Sequence, residues 1–410
     1  MEKKQFEFED GKKYNYECYE SCPVDAGIGL STVINTELQW LNTFLNNTVD
    51  SYGIKYPDIM RPKLYVCLRE DGNLEANAFT DGKDIYITAS MMIGLQSFIE
   101  KRISMGGVNW LELVPAQVKE GMPLHIYNYL LKFVVGHELI HIWHRHSKWK
   151  NAVLRVSSVR NNPVADILSE MVNGECDDDS CLTENFEIRN GQILCSGKAD
   201  KNYFQQVLEI DADSCAMCLV LADLQREMDA LARPLIQDIE ANRDKINSII
   251  HLHSYYLGIV SGAAALMFGY FDSQHVGKPF DRLSLLLKFD HPIPAIRFAK
   301  TDATMTQWIH KYYEDNDFAD ALLSYTDIFT TQIFMDDGHT MDIRNCFWAP
   351  SQTEMAQVFM TYLEKGWNLI HDSLQSFALL DIPKKFSPEE LMILKRFIRF
   401  DDKGNPLLFY

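Results

Sequence analysis

His137-Glu138-Leu139-Ile140-His141 sets two imidazoles four positions apart, with a carboxylate beside the first. On a helix, residues four apart lie on one face, one turn up. His137 and His141 can then present two nitrogens to one ion. Glu138, about 100° around the helix from His137, can reach a water on the ion's open side. This H-E-x-x-H spacing is the one zinc peptidases use to make a nucleophile from water. Five residues also match by chance, and the two histidines would then only hydrogen-bond to neighbours. The context favours chemistry. Phe133, Val134, Val135, Leu139 and Ile140 make the stretch strongly apolar, and polar groups buried there need partners.

A catalytic zinc takes three protein ligands and keeps one position for water. Glu209-Ile210-Asp211-Ala212-Asp213 offers a third ligand. Glu209 and Asp213 share a helical face. With Glu209 on the metal, Asp213 can accept the free ring N–H of a liganding histidine and so fix its tautomer. A solvated acidic face is the ordinary reading of such spacing, but Leu208, Ile210, Ala212, Ala216 and Met217 surround these acids with apolar groups. His144 and His146 follow the first motif. One helix cannot aim them with His137 and His141 at a single ion, so they are expected at the surface or hydrogen-bonded. Cys215 and Cys218 read as small core residues. Cys176, Cys181 and Cys195 could bind a second metal, but their irregular spacing fits unpaired thiols better.

These motifs resemble the gluzincin peptidases of the HtpX and CAAX-prenyl-protease type. Asn77-Ala78-Phe79, Gly82 and Ile85-Tyr86-Ile87-Thr88 resemble the strand that precedes the metal helix in that family. His137–His141 matches the H-E-x-x-H. Glu209–Asp213 matches the E-x-x-A-D segment, whose Glu is the third ligand. His291-Pro292 with Arg297 resembles the H-P-x-x-x-x-R motif. The general layout is also similar to the Lit-type phage-exclusion proteases, a soluble comparison for a chain without the clear membrane helices of HtpX. The resemblance covers residues 77 to about 300. It implies a zincin-like core, a bound Zn2+ and a protein or peptide substrate.

The implied chemistry is peptide-bond hydrolysis, with Glu138 as general base and His291 and Arg297 as oxyanion donors. Arg297 is equally suited to pairing with a buried carboxylate such as Asp213. The strand Asp84–Thr88 would receive an extended substrate along an exposed sheet edge. Two other readings remain open: a binding or scaffold protein with a structural zinc, and a defence or toxin effector protease with one host target. Glu138 argues against the first, since a structural site needs no base.

The elements that must position these residues follow from periodicity. Residues 1 to about 25 suggest a hairpin or a loosely held arm. Leu38, Leu41, Leu45 and Val49 recur at helical spacing. Lys63–Leu68 and Asp84–Thr88 read as strands, and Ala89–Ile103 as a helix. A helix should start near Pro123 and run to about Trp149, with another over Asn202–Leu231 and further ones near 293–313, 353–377 and 387–399. Residues 174–201 read as a polar insertion. The expected class is mainly α with a small β-sheet (α+β), a zincin-like core and extra C-terminal helices. The expected regions are 1–110 (α/β, with the active-site edge strand), 111–300 (catalytic helical core) and 301–410 (C-terminal helices, choosing substrate or partner).

The chain has 410 residues, 39 basic and 57 acidic, for a net charge of −18. An acidic surface repels phosphate backbones, which argues against nucleic acid as a partner. The N-terminus MEKKQFEFEDGKKY carries charge with no apolar run behind it, unlike a secretory signal. With nine cysteines and no disulfide framework, this points to a reducing, cytoplasmic setting. Tyr255–Phe271 is apolar but shorter than the ~20 residues of a membrane span, and it is expected to be a buried core helix.

Overall fold

The structure, a computed structural model, describes residues 1–8, 11–21, 31–72, 75–105, 121–156, 187–189, 192–195, 198–273, 291–313, 317–324, 354–387, 399–400 and 406–407. It is mostly helical with a small sheet, so the α+β expectation holds. The chain divides into two compact units, each gathered from separate stretches.

The first unit comprises residues 1–142, 213–270 and 301–343. Its five-stranded sheet is built from β1 (Glu2–Glu7), β2 (Lys13–Tyr19), β3 (Leu64–Arg69), β4 (Ala78–Thr80) and β5 (Ile85–Thr88), in the order β1-β2-β3-β5-β4. β1 and β2 form the expected hairpin. β3 runs parallel to β5, and β4 antiparallel to it. Tyr16, Tyr65 and Tyr86, from three neighbouring strands, are buried in one cluster, with Phe6 and Phe79 packed against it. β5 is flanked on both sides and all four of its residues are buried. The expectation that Asp84–Thr88 forms an exposed edge is therefore corrected: the three-residue β4 ends the sheet.

Helix α1 (Ser31–Gly53) buries Leu38, Leu41, Leu45 and Val49, as their spacing predicts. α2 (Ala89–Met105) follows β5 directly. α3 (Met122–Trp143) is apolar around most of its circumference, which marks a helix enclosed by the fold. It was expected to reach Trp149. It stops instead at His144-Arg145, where Arg145 takes a left-handed backbone (φ 55, ψ 41), and α4 (His146–Val153) restarts.

In the second unit (143–212, 271–300 and 344–410), β6 (Leu154–Val156), β7 (Glu187–Arg189) and β8 (Gln192–Cys195) form a sheet of order β6-β8-β7. Two of these strands fall in the stretch read as a polar insertion. Cys195 is buried there, while Cys176 and Cys181 lie outside the described residues. α5 (Lys198–Ala232) is one uninterrupted helix, begun in this unit and completed in the first. Its Tyr203, Phe204, Val207 and Leu208 share a core with Trp149 of α4 and with Phe359 and Trp367 of the C-terminal helix.

α6 (Arg243–Ser273) contains the apolar Tyr255–Phe271 stretch. It is the one helix among the described residues long and apolar enough to cross a membrane, and residues 257–269 of it are all buried within the protein. α7 (Pro294–Tyr312) starts with proline, whose missing N–H costs nothing at a first helical position. α8 (Glu354–Gln375) matches the 353–377 expectation. The helix expected near 387–399 falls almost wholly outside the described residues.

Candidate metal centre

α3 and α5 bring the two motifs together. Gly136 of α3 packs on Ala216 of α5: a Cβ there would lie 3.4 Å from Ala216 Cβ and 3.5 Å from its Cα. Small residues on both helices set this spacing, and it puts the next residue, His137, against α5.

His137 Nδ1 lies 2.9 Å from Asp213 Oδ1, with Asp213 fully buried. A carboxylate only accepts, so the ring N–H is on Nδ1, and Nε2 keeps its lone pair. That Nε2 faces His141 Nε2 at 3.0 Å. Two imidazole nitrogens thus converge on one point, as the four-residue spacing predicts. Glu209 lies one turn before Asp213 on the same unbroken helix. One donor atom each from His137, His141 and Glu209 lies within 4.8 Å of the other two. Two imidazoles and a carboxylate at that separation form a group that could hold a metal ion, and the donor set is one zinc accepts.

The flanking contacts fix these donors. Gln205 Nε2 donates to Glu209 Oε1 at 2.6 Å. His291 Nε2 stands 3.4 Å from Glu209 Oε2 with its side chain half exposed. Glu138 is buried at 7% exposure. Arg297 lies on the first turn of α7, half-buried.

A second constellation adjoins the first in sequence. His144 Nδ1 is 2.5 Å, and His146 Nε2 3.0 Å, from the same atom, Asp211 Oδ2. Both histidines are buried, so their expected hydrogen bonds are present and the surface alternative is corrected. Burial alone would raise the Asp211 carboxyl. The charges and hydrogen bonds of His144 and His146 override it and hold the carboxyl well below the usual carboxylate range. Asp211 is the residue whose importance sequence reading missed. Its only signal was an acid placed between apolar neighbours, opposite in helical phase to Asp213. Comparison of the chain with protein-family models, with curated proteins and with solved structures found no match.

Proposed function

We propose that the chain is a zinc-dependent endopeptidase with a zincin-like core, in which His137, His141 and Glu209 hold zinc and Glu138 is the general base. The convergence of those three donors, with Asp213 fixing the His137 tautomer, carries the reading. A bound zinc ion supplies Lewis acidity, which lowers the pKa of water and polarises a carbonyl. Glu138 follows His137 directly and sits in a buried, low-dielectric setting. Its role is to accept the proton of the attacking water and deliver it to the leaving amine. His291 and Arg297 are assigned as donors to the developing negative charge. The terminal strand β4 offers its backbone to an extended peptide.

The test compares new protein N-termini in cells expressing the wild type, Glu138→Gln or His141→Ala, with metal content measured on each purified protein. Glu138→Gln preserves shape and removes the base. It should keep its zinc while cleavage falls at least ~10²-fold, the lower range for losing general acid–base catalysis. His141→Ala should lose both. A Glu138→Gln protein that cleaves at the wild-type rate would remove the peptidase reading.

A further inference from the structure

The proposed peptidase chemistry leaves His144, His146, Asp211 and Cys215 unused. They come from three places in the sequence. His144 stands just past the end of α3, and His146 opens α4. Between them the left-handed Arg145 turns the chain, so that both imidazoles reach Asp211 Oδ2. A continued helix would point residues two apart in widely different directions. A non-glycine residue in this backbone region carries a cost, which persists only where the surroundings impose it. Here the surroundings are one buried carboxylate drawing two imidazoles.

Cys215 follows Asp211 by one turn on the same uninterrupted α5, on the same face. One donor atom each from His144, Asp211 and Cys215 lies within 4.8 Å of the other two. His144 is 1% exposed and Asp211 6%, whereas Cys215 is partly exposed. The first two donors are thus fixed inside the fold, and the sulfur is on the side from which an ion can enter.

We infer that His144, Asp211 and Cys215 form a second metal site, for a borderline divalent ion of the zinc class. The donor types select the ion. Thiolate and imidazole suit zinc and its cobalt substitute, whereas magnesium and calcium take oxygen ligands. His146 has a different role: its ring N–H holds the Asp211 carboxylate from outside, as carboxylates bound to metals are commonly held. Binding releases the Cys215 thiol proton to solvent and leaves a thiolate on the metal. The His144 nitrogen that takes the metal likewise gives up any proton it holds towards Asp211, to solvent or to its other ring nitrogen, and no oxidation state changes. The site sits at the joint between α3 and α4, so a bound ion would pin that joint to α5.

Sulfur makes this site separable from the candidate catalytic centre, whose donors are all nitrogen and oxygen. The probe is cobalt(II) alone, added to the full-length metal-free protein under reducing conditions. Thiolate ligation gives a near-ultraviolet charge-transfer band that nitrogen and oxygen ligands do not. Wild type should bind about two equivalents of cobalt, one per three-ligand group, and show the band. Glu209→Gln should keep the band, because it alters only the other group. Cys215→Ser should lose the band and one equivalent, while Cys218→Ser, three positions on, should keep both. His144→Gln should weaken the band-forming affinity about 10-fold or more. Folded wild-type protein without the band at saturating cobalt overturns the site, and so does a band of full strength in Cys215→Ser. Neither result touches the Glu138→Gln test of the peptidase reading.

Discussion

Asp213 decides which nitrogen of His137 faces the candidate centre, and it does so from full burial. Removing it leaves the Nδ1–H without its acceptor and frees the ring to take the other tautomer. Asp213→Ala should weaken zinc binding by about 10–100-fold, the usual cost of losing an outer carboxylate. Competition with a chromogenic chelator measures this, and an unchanged affinity would separate Asp213 from the metal. His253 on α6 supplies a residue-scale test of pH. Burial pushes its imidazole down from the ordinary 6.5 to about 4, with Nδ1 2.7 Å from the Tyr313 hydroxyl. Between those values the unfolded chain binds a proton there and the folded chain does not. The contribution is therefore complete above about 6.5 and is lost as pH falls towards 4, on the order of 2–3 kcal/mol. Urea midpoints of wild type should fall across that window more steeply than those of His253→Gln. Parallel curves would contradict the assignment.

At the scale of elements, close helix approach depends on particular glycines. Gly366 of α8 meets Tyr203 of α5 so closely that an added Cβ would lie 2.2 Å from the tyrosine oxygen and 2.9 Å from Val207 Cγ2. The Tyr203 hydroxyl is held at 2.7 Å by the Tyr362 carbonyl and cannot simply swing away. Gly366→Ala should cost about 1–3 kcal/mol by overpacking, read as a lower Tm. Gly136→Ala should be tolerated, since its contact with Ala216 would be an ordinary one. Gly136→Leu should force α3 and α5 apart and lower zinc content. Equal metal retention by the two Gly136 variants would show that the spacing does not matter to the donors. Local pattern made α1, β3, β5 and α2 legible: apolar residues at helical spacing mark the two helices, and β-branched and aromatic runs mark the two strands, whose buried residues follow one another without alternating. The four proposed zinc-site residues were legible for the same reason: spacing along two helices carries most of their geometry. The stop at Arg145 was not, because no glycine or proline marks it, and the neighbours His144 and His146 meet Asp211, far away in sequence. Strands β6 to β8 are three or four residues long, and β6 pairs with β8 across more than thirty intervening residues. The interior place of β5 is likewise a matter of strand order, which no local pattern states.

The whole molecule is not arranged as successive segments: each unit takes residues from three separate stretches. This changes what the C-terminal region is expected to do. Read as sequence, the helices beyond residue 300 looked like an appendage that could choose a target. In the structure, α8 packs Phe359, Tyr362, Leu363 and Trp367 into the core that also holds Tyr203, Phe204, Val207 and Leu208. Those α5 residues lie immediately before Glu209. Trp149 of α4 donates its indole N–H to Ser373 at 2.8 Å, and Leu379 N–H donates to the Trp143 carbonyl at 2.8 Å, satisfying one of the open carbonyls at the end of α3. Deleting residues 340–410 would therefore uncover several large aromatic side chains and remove a helix-end partner beside the histidine motif. Each large core side chain contributes about 1.5–3 kcal/mol when buried, and a domain is stable by only about 5–15 kcal/mol in total. The truncated chain should lose the cooperative unfolding of its second unit. It should also exchange the amide hydrogens of Trp149–Val153 and Tyr203–Leu208 at nearly unprotected rates, and bind less zinc than the full chain. Hydrogen exchange with mass spectrometry, run beside metal analysis, makes the measurement. A truncated protein with native protection over Tyr203–Leu208 and full zinc content would restore the view of an independent C-terminal region.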